Sequence, residues 1–138
     1  MLLKNVMTPQ VEEISPDAEI RDAASKMKSL DIGVLPVVDE GRVIGMITDR
    51  DIAIRAVSRG RGPDTPVRNA MTPKVVYCHE DDDVDTAATV MREEQIRRLL
   101  IFDRDEHPVG IVSLGDLATR AHDEYLCGRT LERVSKSA

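Results

Sequence analysis

The chain contains one sequence twice, and that duplication limits its fold more than any other feature. Asn5-Val6-Met7-Thr8-Pro9 returns as Asn69-Ala70-Met71-Thr72-Pro73. At the same offset Ile20, Ala23, Ala24 and Met27 meet Val84, Ala87, Ala88 and Met91, and Ile32, Leu35 and Asp39 meet Ile96, Leu99 and Asp103. One residue inserted between Asp103 and Pro108, where a hairpin loop would tolerate it, then brings Gly45, Thr48, Asp51, Arg55 and Ala56 onto Gly110, Ser113, Asp116, Arg120 and Ala121. Self-similarity at a fixed period marks a repeat architecture, so the chain reads as two copies, 1–63 and 64–123, followed by a tail, 124–138.

Both copies carry the same local pattern. A short β-prone run (Val11–Ser15; Val75–Cys78) precedes a helix whose apolar positions, starting at Ile20 and Val84, recur at i, i+3, i+4 and i+7. Ser15-Pro16-Asp17 and Asp81-Asp82-Asp83 place acceptors and negative charge where such helices begin. Two strands follow, Val34–Val38 and Val43–Ile47, then Arg98–Phe102 and Val109–Val112. Their nearly continuous apolar runs predict strands covered on both faces. A second helix starts near Asp49 and near Leu114, and Gly60-Arg61-Gly62-Pro63-Asp64 punctuates the copies. The expected fold is α/β (α+β), a tandem repeat of two β-α-β-β-α units. A unit of about 60 residues buries little surface alone. The copies are therefore expected to pack sheet against sheet with pseudo-twofold symmetry, leaving clefts between them as ligand sites. Tyr125, Leu126, Leu131 and Val134 suggest a helical tail that packs on the module, meets a second subunit or frays.

Composition narrows the function. Hydrophobic residues at 41% and charged residues at 32% describe a globular chain, and aromatics at 2% leave its core to Val, Ile, Leu, Met and Ala. A net charge of −6 without stacking aromatics argues against a nucleic-acid partner. No apolar run reaches the roughly 18 to 20 residues that span a bilayer, and no signal-peptide core opens the sequence, so a cytoplasmic protein without membrane contact is expected. Cys78 and Cys127 stand far apart, and His79, His107 and His122 follow no zinc spacing, so no metal site is expected. Glu80-Asp81-Asp82-Asp83 reads as a solvated helix start. No catalytic triad, Walker loop or GxGxxG is present, and the expectation is a protein that is not an enzyme.

The chemistry is carried by Gly45-Met46-Ile47-Thr48-Asp49-Arg50-Asp51 and Gly110-Ile111-Val112-Ser113-Leu114-Gly115-Asp116, a Gly-apolar-apolar-(Ser/Thr)-x-x-Asp pattern at a strand-to-helix junction. Its plain reading is a capping box that starts a helix. Its functional reading uses the same atoms. Helix-start N–H groups suit a phosphate, the hydroxyl can donate to phosphate or ribose, and a carboxylate can accept both O–H groups of a ribose diol. Gly45 and Gly110 would admit close backbone approach, or mark a bulge. Arg50, beside the motif, and Arg98, at a strand start, are the preferred phosphate partners.

The doubled unit, the Met-Thr-Pro openings, Ile32-Gly33-Val34-Leu35-Pro36-Val37 and Thr48-Asp49-Arg50-Asp51-Ile52 resemble a cystathionine-β-synthase-type (CBS) domain pair, or Bateman module, of the stand-alone bacterial type. The resemblance spans residues 5–123. It implies a regulatory module that binds an adenosine-type ligand (AMP, ADP, ATP, S-adenosylmethionine or NAD) in the cleft between repeats, with no obligatory cofactor. It assigns phosphate and ribose to Thr48 and Asp51 in one site and to Ser113 and Asp116 in the other. Adenine falls among Val11, Ile32, Val34 and Leu35, and among Val75, Ile96, Arg98 and Leu99. It also implies a homodimer, a flat disc of four repeats, that signals to an effector protein. Leu100 in place of Pro36 and Gly115 in place of Arg50 make the two sites unequal. The alternative is a structural dimerisation or adaptor module whose motifs do no more than cap helices.

Overall fold

The computed structural model describes residues 1–9, 12–121 and 124–136, with side chains for all of these except 124–127. Val11, His122 and Asp123, and the side chains of Tyr125, Leu126 and Cys127, lie outside that description. In chain order the elements are β1 (Thr8–Pro9), α1 (Ile20–Leu30), β2 (Val34–Asp39), β3 (Arg42–Thr48), α2 (Asp49–Asp51), β4 (Tyr77–His79), α3 (Val84–Glu94), β5 (Arg98–Phe102), β6 (Pro108–Ser113), α4 (Leu114–Asp116) and α5 (Glu124–Ser135). The short helices α2 and α4 each run on into a π-helical turn, Ile52–Ala56 and Leu117–Ala121.

The chain forms two compact units, and their borders do not follow the repeat. One unit is continuous, Glu12–Val75; the other is split, joining Met1–Val11 to Val76–Ala138. The opening segment of each copy thus belongs with the strands of the other. In the split unit β1 pairs antiparallel with β6, Thr8 opposite Ile111, and β4 runs parallel to β5, giving the sheet order β1-β6-β5-β4. The continuous unit has the same four-part arrangement with its outer members reduced to single bridges. Thr72 pairs antiparallel with Met46 on β3, and Ile14 pairs parallel with Val37 on β2. Of the run expected over Val11–Ser15, the described residues 12–15 form a single bridge at Ile14, whose N–H and C=O bond Pro36 and Val38 at 3.0 and 2.9 Å. Pro16, which has no N–H to give a ladder, follows two residues later.

The helices form where the apolar spacing predicts. Ile20, Ala23 and Met27 are buried along α1, though Ala24, expected on the same face, is exposed; Val84, Ala87, Ala88 and Met91 are buried along α3. The caps differ in detail. Glu19 and Asp22 close a capping box on α1, while Ser15 accepts the N–H of Asp17 in the turn before it. On α3 the Asp83 side chain accepts the N–H of Asp85 at 2.9 Å. Both helices end on a left-handed residue, Asp31 (φ 53°) and Gln95 (φ 54°).

Each unit has its own core. Ile14, Ile20, Ala23, Met27, Leu35, Val37, Ile47, Ala56, Val67 and Ala70 form that of the continuous unit. Leu3, Val6, Cys78, α3, Leu99, Ile101, Val112, Leu117 and Val134 contribute to that of the split unit. The tail helix α5 joins this second core, burying Thr130 and Val134, and Arg92 donates to the Thr130 hydroxyl at 3.2 Å.

Candidate functional site

The two Gly-apolar-apolar-(Ser/Thr)-x-x-Asp motifs lie where β3 meets α2 and where β6 meets α4, and they are built alike. Thr48 Oγ1 accepts the Asp51 N–H at 3.0 Å, and Asp51 Oδ2 accepts the Thr48 N–H at 3.1 Å. Ser113 and Asp116 repeat the exchange at 3.0 and 2.9 Å. Both motifs are thus complete capping boxes. The Thr48 and Ser113 hydroxyl oxygens accept in these bonds, so each retains a proton to donate. The Asp51 and Asp116 side chains keep 13% and 15% of their surface exposed.

An arginine four residues past each carboxylate ties the junction to the opening segment of the other copy. Arg55 Nε lies 3.9 Å from Asp51 Oδ1, and its Nη1 donates to the Met71 carbonyl at 2.9 Å. Arg120 Nε lies 3.8 Å from Asp116 Oδ1, and its Nη1 donates to the Val6 and Met7 carbonyls at 3.2 and 3.1 Å. The expectation of close approach at the two glycines is met, but what approaches is the protein's own backbone. A Cβ on Gly45 would stand 2.5 Å from the Thr72 carbonyl oxygen, and one on Gly110 would stand 2.5 Å from Met7 Sδ and 2.9 Å from the Thr8 carbonyl oxygen. Register breaks lie immediately beyond both glycines, at Val37/Val38 and Ile101/Phe102, so the bulge expectation holds as well.

The helix-start amides are less open than the sequence suggests. The Asp49 N–H is taken by the Gly33 carbonyl at 3.0 Å, the Arg50 N–H by the Asp49 carboxylate at 2.8 Å, and the Asp51 N–H by Thr48. On α4 the Leu114 N–H goes to the Arg97 carbonyl at 2.9 Å and the Asp116 N–H to Ser113; among the described residues Gly115 N–H has no partner.

Of the other expected contacts, Val34 stands directly across the ladder from Thr48, and Arg98 directly across from Ser113. Such pairs hold their Cβ atoms roughly 4.5–5.5 Å apart. Ile32 and Ile96 are half-buried against their own cores, Val75 is half-buried, and Arg50 is exposed. Leu35 and Leu99 face inward, at 0% and 1% exposure within the two cores, so their side chains are closed to any ligand. Val34 and Arg98 take the opposite faces of their strands, since neighbouring strand residues alternate, but Val34 at 1% exposure is closed as well, and of the two Arg98 alone is exposed.

Other titratable groups have structural explanations. Asp103, Asp105 and His107 bring possible ligand atoms within 4.8 Å of one another in the β5–β6 loop. That closeness follows from the turn, because Asp103 Oδ1 accepts the N–H groups of both Asp105 and His107 at 2.9 Å. Burial, with Asp82 adding to it, pushes the Cys78 thiol up to about 11, where it is a poor nucleophile.

Comparison with known proteins gives one answer throughout. The family model described as "CBS domain" matches residues 3–57 and 67–123. The CBS domain-containing protein YhcV of Bacillus subtilis is 41% identical over 133 residues, covering 96% of this chain and 94% of its own length. The conserved CBS domain protein TA0289 of Thermoplasma acidophilum superposes with a TM-score of 0.84 at 26% identity, over 96% of this chain and 75% of that one. The CBS domain pair of protein MJ0100, solved in complex with 5′-methylthioadenosine and S-adenosyl-L-methionine, superposes with a TM-score of 0.77 at 30% identity, over 86% and 93%.

Proposed function

This chain belongs to the CBS domain family, and we propose that it is a non-catalytic regulatory module that binds an adenosine-type ligand at its strand-to-helix junctions and signals to a partner protein. The observation that carries the reading is the duplicated junction. In each unit a hydroxyl and a partly exposed carboxylate stand side by side at the end of a strand. A ribose diol supplies the two O–H donors that a carboxylate accepts, and the Thr48 or Ser113 hydroxyl supplies a donor for phosphate or ribose oxygen. Arg98 flanks the Ser113 hydroxyl across the ladder, offering a cation for an anionic group. The MJ0100 pair, which takes two adenosine compounds, supports the ligand class. Signalling acts through the differential affinity of the ligand for two arrangements of the protein.

Among the described residues no helix is long and apolar enough to cross a membrane. We place the module in the cytoplasm as a homodimer, to be checked by sedimentation. Calorimetric titration with AMP, ADP, ATP, S-adenosylmethionine and NAD tests the ligand class. Binding of at least one, abolished in the Asp51→Ala/Asp116→Ala double variant, is the expected result. The completed capping boxes favour a second reading, a structural dimerisation module. It predicts no heat with any of the five, and a loss of stability as the sole effect of either aspartate change.

A further inference from the structure

Asp51 and Asp116 occupy the same place in the repeat, yet their carboxylates are not equally engaged. The Thr72 hydroxyl lies 3.3 Å from both oxygens of Asp51 and donates to the pair. Thr8 is the counterpart of Thr72, paired with Ile111 on β6 as Thr72 is with Met46 on β3. Among the described residues Thr8 makes no such bond, and Asp116 keeps the Ser113 N–H and Arg120 as partners. The Thr72 backbone is pinned independently, its N–H and C=O bonding Met46 at 2.8 and 2.9 Å. The hydroxyl can therefore leave Asp51 by rotation about one side-chain bond, with the strand pairing intact.

We propose that Thr72 is an internal competitor for the Asp51 carboxylate and so sets the affinity of that junction. The inference rests on the adenosine reading for its ligand. Thr72 offers one O–H shared between two oxygens; a ribose diol offers two. A ribonucleoside therefore gains a hydrogen bond when it displaces Thr72, whereas a 2′-deoxyribonucleoside exchanges one donor for another. The Asp51 junction accordingly binds either sugar more weakly than the Asp116 junction, by the one bond that Thr72 must give up.

The ligand arm isolates each junction, with AMP, S-adenosylmethionine and 2′-deoxy-AMP titrated into Asp116→Ala and Asp51→Ala backgrounds. Adding Thr72→Val to Asp116→Ala tightens binding roughly fivefold, the factor given by one modest hydrogen bond. Adding it to Asp51→Ala changes nothing, and Thr72→Ser restores the weaker binding. Unchanged or weakened binding in the first pair overturns the proposal. A second arm needs no ligand. In the wild-type protein, three-bond couplings to the Thr72 methyl report a single side-chain rotamer, while those of Thr8 are averaged. Averaged couplings at Thr72 sink the competitor even if a nucleotide binds. A single rotamer without nucleotide binding instead removes the adenosine reading and leaves the hydroxyl–carboxylate bond standing.

Discussion

The carbonyl oxygen of Thr72 lies 2.5 Å from where a Cβ at position 45 would stand, so glycine is the residue that lets this strand and the Met71–Pro73 segment meet. The two backbones are bonded there through Met46, which fixes the separation. Gly45→Ala forces backbone apart and is expected to destabilise by about 1–3 kcal/mol. Gly110→Ala first meets the flexible end of Met7 and should cost less. Urea unfolding of the two variants, followed by circular dichroism, gives the order.

Removing a cap acceptor should show in stability as well as in binding. Thr48→Ala and Ser113→Ala each lose a bond to a helix N–H and are expected to lower stability by about 1 kcal/mol. Thr48→Asp keeps an acceptor, removes the donor and adds a negative charge. It should melt near the wild type while binding an anionic nucleotide less tightly, which separates cap from ligand contact in one variant.

The left-handed residues that end α1 and α3 should respond differently to glycine. Asp31→Gly relieves a conformation that side chains resist and should stabilise by about 0.5–1 kcal/mol. Gln95→Gly removes the same strain but loses the side-chain bonds from Nε2 to the Arg133 and Lys136 carbonyls, at 3.3 and 3.0 Å. Its thermal midpoint should fall, and the end of α5 should lose protection in hydrogen exchange.

Stability should weaken at both ends of the pH range. The hydrogen bond to Glu106 raises the pKa of His79 above its ordinary 6.5, so the folded state favours the charged ring. That contribution is complete below pH 6.5 and is lost as pH rises through the higher folded value. Asp81, bonded to Arg104, and Asp103, bonded to the His107 N–H, are held below the ordinary 3.8. Their contribution is present above that value and disappears as pH falls through the lowered ones. Replacing His79 with Gln should flatten the alkaline side of a melting-temperature profile and leave the acid side alone.

The Cys78 thiol, pushed up to about 11 inside the split unit, should be silent to a thiol reagent at pH 8. In a Cys127→Ser background, labelling should await unfolding. Reaction of the native protein within minutes would contradict the burial.

The repeat alignment revealed the strands, the helices and both junctions, because helical and strand periodicities survive duplication. It could not reveal that Thr8 pairs with Ile111 and Thr72 with Met46. Each opening segment occurs once per copy, and nothing in its composition says which copy's strand it joins. Leu35 and Leu99 were expected at the ligand for a related reason. Their strands are nearly continuous apolar runs, so alternation gives little sign of which residues face the core. The arginine brace did leave a trace, since Arg55 and Arg120 align four residues past the two aspartates. What the sequence hid was the carbonyl that each arginine reaches.

The split unit also sets a schedule for synthesis. Thr8 needs Ile111, about a hundred residues downstream, before its ladder bonds can form. A ribosome adding about 5–20 residues per second makes that an interval of several seconds or more. During it Leu3 and Val6, which end fully buried, have no partner strand. The continuous unit has no such delay and can close as soon as Thr72 emerges. The nascent chain therefore has a built-in order of assembly, the middle before the ends, and its exposed opening segment is where a chaperone would find its first apolar grip.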